Sequence, residues 1–483
     1  MAATTAPDPR RWKALAVLGV AYLMVVLDVS IVNVALPSIQ TDLGFSPEDL
    51  QWVISAYALT FGGFLLLGGR TGDLLGRKKL FMVGLTLFSI FSLVCGFAVS
   101  AAMLIVARGA QGLAGAILSP SVFSIVSVTF KEGSERNKAL GILGAIAGSG
   151  AAIGVLLGGV LTEYIGWEWI FFVNAPIGLG ALYFVQRFVD ESRAEGLMQH
   201  FDTAGAVTVT SSLVLLVYGL TQSPNVGWDS AQTIGVLLAS AILMAAFLVI
   251  ETRSRSPLVP LGFFRRRTPA GANLIGFGLG TMIFGMFFLL SLYMQQVLGY
   301  SALKTGVGYL AVALIAIAAS GMAQALVTRL GVKPVLSTGL VMLGVGLLLF
   351  TQVSVDGSYA ADLLPGFILI GLGLGFAFVP VSIAALAGVT GRDAGLASGL
   401  INTSQQIGGA LGLAIMVTVA TSKTGNLITE GADQAHALTE GFRLAFWVGV
   451  AFAAIALVAT LVAHKREDQA QADPELAGAG SSR

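Results

Sequence analysis

The chain has 483 residues, of which 55% are hydrophobic and only 11% charged, with a formal net charge of +1. Soluble domains carry about 25% charge, so a soluble globular protein is excluded, and the near-neutral balance gives no support to nucleic-acid binding. The apolar residues form long unbroken runs, not the alternating pattern of an outer-membrane barrel, so an all-α polytopic membrane protein is expected.

A helix needs about 20 apolar residues to cross a bilayer. Fourteen candidate spans start near Ala14, Trp52, Leu80, Ala101, Lys138, Ile170, Thr203, Gln232, Pro269, Gly306, Val335, Asp362, Gly395 and Phe442. The first ends near Leu36. Its run is too long for a signal-peptide core and reads as an uncleaved span. Alternate loops are cationic: Arg10/Arg11/Lys13, Arg70/Arg77/Lys78/Lys79, Lys131/Arg136/Lys138, Arg187/Arg193, Arg253 to Arg267, Arg329/Lys333, Arg392 and Lys465/Arg466. The intervening loops hold only Lys304, Lys423 and Arg443. One missed or invented span would scramble that alternation, so both termini are expected on the cytoplasmic side. Trp52, Trp167 and Trp169 sit at span ends, as interface anchors do.

Between spans 2 and 3 stands GRTGDLLGRKK, Gly69 to Lys79, with four cations, one carboxylate and three glycines. A short cytoplasmic turn is expected there. LGFS at Leu43–Ser46 recurs as LGYS at Leu298–Ser301, and LGRK at Leu75–Lys78 as LGVK at Leu330–Lys333, both at a shift of 255. Gly115 and Pro120 match Gly375 and Pro380 at a shift of 260. Gly141, Gly150 and Gly154 match Gly399, Gly408 and Gly412 at 258. Spans 1–6 therefore repeat as spans 9–14 in parallel, with spans 7 and 8 inserted. The expected organisation is a six-helix bundle (1–190), two inserted helices with cytoplasmic linkers (191–267), a second six-helix bundle (268–464) and a disordered cytoplasmic tail (465–483). Two such repeats put a substrate site at their interface.

The single cysteine, Cys95, and three scattered histidines give no disulfide and no metal site. No phosphate-binding or dinucleotide motif is present. Neither a cofactor nor enzyme chemistry is expected.

Parallel six-span halves with GRTGDLLGRKK between spans 2 and 3 resemble the major facilitator superfamily. The two inserted helices make the chain similar to its fourteen-span drug/proton antiporter branch. LDVSIVNVALP (Leu27–Pro37), RGAQGLAGA (Arg108–Ala116), the glycine series ending GVLLGG (Gly154–Gly159) and SGLINTSQQIGGALG (Ser398–Gly412) resemble motifs of spans 1, 4, 5 and 13 of that branch. Two positions depart from it. Val155 stands where the antiporter motif usually has proline, and Trp167-Glu168-Trp169 replaces the usual W-R-W. The resemblance implies a multidrug efflux transporter driven by a proton gradient. It also implies roles for Gly69, Gly72, Asp73, Gly76, Arg77 and Lys78 in the loop motif. Asp73 and Arg77 would act there as a latch at the inner gate. Gly150, Gly154, Gly158 and Gly159 would form the antiporter motif that seals the outer side.

Two ionisable residues lie well inside spans, Asp28 and Arg108. A charge near the bilayer centre costs at least about 2.5–3.5 kcal/mol, so it is a functional hypothesis by default. Both lie roughly 10–12 Å below the outer helix ends, by 1.5 Å per residue. Two readings stand: proton coupling, with Asp28 the acceptor and Arg108 its modulator, or a structural ion pair. The shift of 260 puts Ile368 where Arg108 would recur, so the charge belongs to one half only. Members of the resembled branch that export dications tend to carry a further intramembrane acid, so with one titratable carboxylate at membrane depth the resemblance implies a neutral or monocationic lipophilic substrate. Asn33, Gln111, Asn273, Tyr293, Gln295, Asn402, Gln405 and Gln406 are candidate substrate contacts. A monomer in the lipid bilayer is expected to suffice. The expected activity is proton-coupled export of small lipophilic drugs by alternating access. Rival readings are a dedicated exporter of one metabolite, lipid or siderophore, a membrane sensor, and a solute importer.

Overall fold

The computed structural model describes residues 10–130, 134–192, 202–254, 257–259, 262, 267–386 and 394–463. The tail expected at 465–483 lies outside the described residues. Among the described residues fourteen long helices follow in order. They are α1 Arg11–Leu43, α2 Trp52–Leu75, α3 Arg77–Gly96, α4 Ala101–Thr129, α5 Ser134–Tyr164, α6 Asn174–Phe188 and α7 Thr203–Val226. After them come α8 Ala231–Arg253, α9 Arg267–Leu292, α10 Ala302–Leu330, α11 Val332–Phe350, α12 Leu364–Leu386, α13 Ala394–Thr429 and α14 Gln434–Ala463. Among the described residues 13 helical segments are long and apolar enough to cross a membrane. Helix α5 contributes the shorter apolar stretch Ala152–Tyr164. The protein is thus an all-helical, multi-pass membrane protein.

The repeated sequence signals become repeated backbone. Gly44 and Gly299 both stand at φ +64 and end a helix in the left-handed region, which glycine enters without a Cβ clash. The serines that follow, Ser46 and Ser301, cap the one-turn helix Pro47–Leu50 that leads into α2, and α10, by accepting from Asp49 N–H at 3.0 Å and Lys304 N–H at 3.3 Å. Helix pairing repeats as well. The pairs α1–α5, α2–α4, α3–α4, α1–α6 and α3–α6 recur as α9–α13, α10–α12, α11–α12, α9–α14 and α11–α14. Between the halves, α5 packs on α10 and α13 packs on α2. The inserted α7 and α8 pack on each other, joined by Ser212 and Ser240, whose hydroxyls each donate to the other's carbonyl at 2.8 Å. Helix α7 then rests on α2 and α13.

Three expectations change. The first span runs past Leu36 to Leu43 with Pro37 inside it. Gly69–Lys79 is not an open turn, because α2 continues through Leu75 and only Gly76, at φ +112, breaks the helix. Trp169 is 47% exposed, as an interface anchor is, but Trp52 and Trp167 are buried at 8% and 5%. Trp167 instead donates its indole N–H to Asp42 Oδ2 at 3.0 Å.

Candidate functional site

Asp28 and Arg108 meet. Asp28 lies near the middle of α1 and is 0% exposed; Arg108 lies in α4 and is 1% exposed. Arg108 Nη1 donates to Asp28 Oδ2 at 2.6 Å. The guanidinium is fixed on its other edge by Nε–H donation to the Val53 carbonyl of α2 at 2.9 Å. Its carbon lies 4.4 Å from the Tyr57 ring centre and 5.6 Å from that of Phe171. Stacking on two aromatic faces compensates part of its lost hydration. The Tyr57 hydroxyl is buried without a hydrogen-bond partner.

The carboxylate accepts two more hydrogen bonds on Oδ1. Gln111 Nε2 donates at 2.7 Å and Asn174 Nδ2 at 3.0 Å. Gln111 Oε1 in turn accepts from Arg108 Nη1 at 2.7 Å and from the Cys95 thiol at 3.6 Å. Asn174 also donates to Ser92 Oγ at 2.9 Å, and Ser92 donates to the Phe171 carbonyl at 2.8 Å. Every group that touches the Asp28 carboxylate here is an N–H donor. Helices α1, α2, α3, α4 and α6 all contribute, so the pair is the hub of the first half. Breaking one partner of such a buried pair strands a charge, at about 3–5 kcal/mol.

The glycine series lies along α1. A Cβ on Gly150 would sit 2.9 Å from Val26, and one on Gly158 2.6 Å from the Ile31 carbonyl oxygen. Gly154 faces Ser30. Gly159 turns the other way, where a Cβ would lie 2.9 Å from the Ala302 carbonyl of α10. The two halves touch backbone to backbone there. Further ties lie at the same end, away from where α1 begins. Gln295 Nε2 donates to the Val34 carbonyl at 2.9 Å, Gln296 Nε2 to Gln40 Oε1 at 2.8 Å, and Leu303 N–H to Glu163 at 3.4 Å. Gln295 and Gln296 stand in a π-helical turn, Tyr293–Val297, which extends α9.

At the opposite end the loop motif meets a residue that its sequence does not suggest. Glu191, beyond α6, accepts from the backbone N–H of Lys78 at 3.1 Å and of Lys79 at 3.0 Å. A carboxylate on the free N–H groups of a helix start is a stabilising arrangement. Arg77 donates its own N–H to Ser192 at 3.0 Å and its Nε–H to Ser124 of α4 at 2.6 Å. Lys78 Nζ reaches the Gln186 carbonyl at 3.2 Å. A Cβ at Gly76 would strike the Glu191 carboxylate at 2.8 Å, which is a second reason for glycine there. Gly69 lies beside Pro120 of α4. The surroundings of Gly72 and Asp73 lie outside the described residues.

The other candidate contacts fall in separate places. Gln111 is in the ion-pair network. Asn33, also on α1, is buried and leaves Oδ1 unpartnered. Asn273 Oδ1 accepts from Ser404 at 2.8 Å, joining α9 to α13. Tyr293 donates its hydroxyl proton to the Ser354 carbonyl at 2.6 Å. On α13, Asn402 is exposed and Gln405 and Gln406 half-buried. Gln406 lies against Gly62 of α2, next to the bond from Thr403 to the Gly62 carbonyl at 3.1 Å. Asn174, Ser92 and Glu191 are the residues that sequence reasoning did not raise. A lone asparagine opening the sixth span was the available signal for the first.

A duplicated helical membrane bundle with a charge pair sealed in one half is the architecture of a membrane transporter. The chain belongs to the Major Facilitator Superfamily, whose family model matches residues 18–413. It is therefore a transporter and not an enzyme. It is similar to the puromycin resistance protein pur8 of Streptomyces alboniger, at 39% identity over 95% of this chain and 92% of that protein. It is 37% identical to the cephamycin export protein CmcT of Amycolatopsis lactamdurans, over 85% of both chains. It is 33% identical to the tetracenomycin C resistance and export protein of Streptomyces glaucescens, over 88% of this chain and 79% of that one. Among solved structures, a bacterial homolog of the human lysosomal transporter Spinster, in an inward-facing and unoccupied conformation, matches with a TM-score of 0.65 at 17% identity. That match covers 95% of this chain and 98% of the other. The nucleoside transporter NupG matches at a TM-score of 0.67 and 11% identity, over 94% of this chain and all of that one. These two likenesses concern the fold.

Proposed function

We propose that this protein exports small lipophilic compounds, of the kind its relatives are named for, from the cell in exchange for protons. The observation that carries the reading is the Asp28–Arg108 pair at 2.6 Å, buried within the first bundle and without a buried counterpart among the described residues of the second half. A membrane protein that keeps such charges out of water without using them would bear a large cost for nothing. Asp28 is the proton acceptor, and Arg108 competes with the proton for it. The cation-rich end, where α1 starts, is the cytoplasmic one. On that assignment the Gly159–Ala302 contact and the Gln295 and Gln296 bonds close the outer side. The two halves rock about the interface of α1, α2, α9 and α13, where Asn33, Asn273, Asn402, Gln405 and Gln406 offer polar contacts to a neutral or monocationic substrate. No cofactor takes part, one chain suffices, and the proton gradient supplies the energy.

Export of a single product made by the cell is the second reading, favoured by the resistance and export proteins of antibiotic producers among the relatives. Inside-out vesicles with an imposed pH gradient test both. Uptake of puromycin, tetracenomycin C and ethidium is expected to rise several-fold with an acidic lumen and to collapse when a protonophore is added. Uptake that ignores the gradient would sink the antiport reading. Gradient-driven uptake of one compound alone would select the dedicated exporter.

A further inference from the structure

We infer that Asn174 is a positioning residue for Asp28: it holds the carboxylate as a hydrogen-bond acceptor and passes a change in its protonation on to α6. The inference rests on the proton-coupled reading above. Its support is the direction of the hydrogen bonds. Ser92 has one hydroxyl proton, and the Phe171 carbonyl takes it at 2.8 Å. Ser92 Oγ therefore meets Asn174 as an acceptor, so the Asn174 amide must turn its nitrogen toward it, 2.9 Å away. The second N–H of that nitrogen then points at Asp28 Oδ1, 3.0 Å away. Flipping the amide would set its oxygen against two acceptors at once. Asn174 is 1% exposed and Ser92 0%, so water does not relieve that conflict.

A proton on Oδ1 would meet only the N–H groups of Asn174 and Gln111, with no acceptor for it. A proton on Oδ2, in the place of Arg108, leaves Oδ1 the carbonyl oxygen of a neutral acid, a weaker acceptor than a carboxylate, so the Asn174 bond weakens in either case. Asn174 is the first residue of α6, directly after the one-turn helix Trp169–Phe172. Its tie to Asp28 is a polar link between α1 and α6. The titratable and charged groups facing the pair are Arg108 from α4, Tyr57 from α2, whose ring lies under the guanidinium, and Cys95 from α3, which donates to Gln111. Helix α5 presents glycines to α1, at Gly150, Gly154 and Gly158. No second carboxylate competes for the proton among these described neighbours.

The test is an infrared pH titration of the purified full chain in lipid, following the carboxyl C=O band that disappears in Asp28→Asn. Asn174→Ala removes the donor. Ser92→Ala keeps Asn174 but frees its amide to turn, and guards against a folding defect in the first variant. Losing a hydrogen bond aimed at the carboxylate is expected to move the midpoint of the band upward by about one pH unit in Asn174→Ala, roughly a tenfold change in proton occupancy. A smaller move in the same direction is expected in Ser92→Ala. The pH of half-maximal transport should follow the band. An unmoved midpoint in both variants, with only a lower maximum rate, would mean that Asn174 merely packs, and the inference would be overturned. Wild-type transport indifferent to the pH gradient, with the band still titrating, would overturn the proton-coupled reading and this role with it.

Discussion

The two halves share their helix pairings but not their chemistry. In the first half α4 buries Arg108 against Asp28, Gln111, Tyr57 and the Val53 carbonyl. In the second half the matching stretch of α12 holds Phe367 and Ile368. The shift of 260 names Ile368, but that side chain is 39% exposed and Phe367 is the buried one. Phe367 packs with its ring tilted against Tyr309 at 5.5 Å and edge-to-face with Phe350 at 5.6 Å between ring centres. At a shift of 255, Asp28, Ser92 and Cys95 become Ile283, Leu347 and Phe350. A core without a buried charge, among the described residues, therefore suffices to hold this helix arrangement together. The polar hub of the first half is not required by the fold, which argues that transport keeps it.

The largest expected effect follows directly. Arg108→Ala should abolish gradient-driven transport and lower stability by about 3–5 kcal/mol, since Asp28 is left as an uncompensated buried charge. Phe367→Leu, a smaller but still apolar side chain in the matching place, should cost about 1–2 kcal/mol and keep most of the transport. Thermal unfolding in detergent together with vesicle uptake decides this. If the two variants behave alike, the contrast between the halves is one of packing and not of function.

The contact between the halves should be nearly as sensitive. Gly159→Val puts a branched side chain where even a Cβ lies 2.9 Å from the Ala302 carbonyl. Transport is expected to fall at least about tenfold, with protons leaking down their gradient, because backbones can approach this closely only at small residues. Gly141→Ala, on the same helix but with nothing within 4 Å of its Cβ, is the control and should transport normally. Proton leak in proteoliposomes, read with a pH-sensitive dye, separates the two. A silent Gly159→Val would mean that the α5–α10 contact does not seal.

A smaller effect is expected at the opposite end. Glu191→Gln weakens the carboxylate at the start of α3 and should lower transport roughly two- to fivefold, the scale of a single charge at a helix terminus. High salt should mimic it in the wild type. Unchanged rates would make the Glu191 contact a feature of this one conformation.

Much of this was legible in the sequence, for a physical reason. A charge in an apolar run is conspicuous, so Asp28 and Arg108 stood out, and their matched depth already allowed contact. A motif that repeats at one shift betrays a duplication, and the structure shows Gly44–Ser46 and Gly299–Ser301 as a repeated cap. Asn174 and Ser92 were hidden because small polar residues in membrane helices usually bond to their own backbone. Ser89 and Thr86 do so in the same helix, to Leu85 and Met82. Only the fold shows that Ser92 instead reaches across to Phe171. Glu191 escaped because its partners lie 113 and 112 positions away. Gln111 and Gln295 looked like substrate contacts, yet one is held in the ion-pair network and the other in a bond between the halves.

That bond supplies the smallest prediction. Gln295 donates to a backbone carbonyl that α1 still offers when the halves part, so its loss strands no charge. A neutral hydrogen bond is worth about 1 kcal/mol net. Gln295→Leu should therefore shift the balance between closed and open states roughly fivefold and leave transport within a factor of a few. Spin labels at Thr41 and Lys304, exposed at the same end of the two halves, would report a longer distance in a larger fraction of molecules. No shift at all would place the closing energy in the glycine contact at Gly159. A complete loss of transport would return Gln295 to the list of residues that touch substrate.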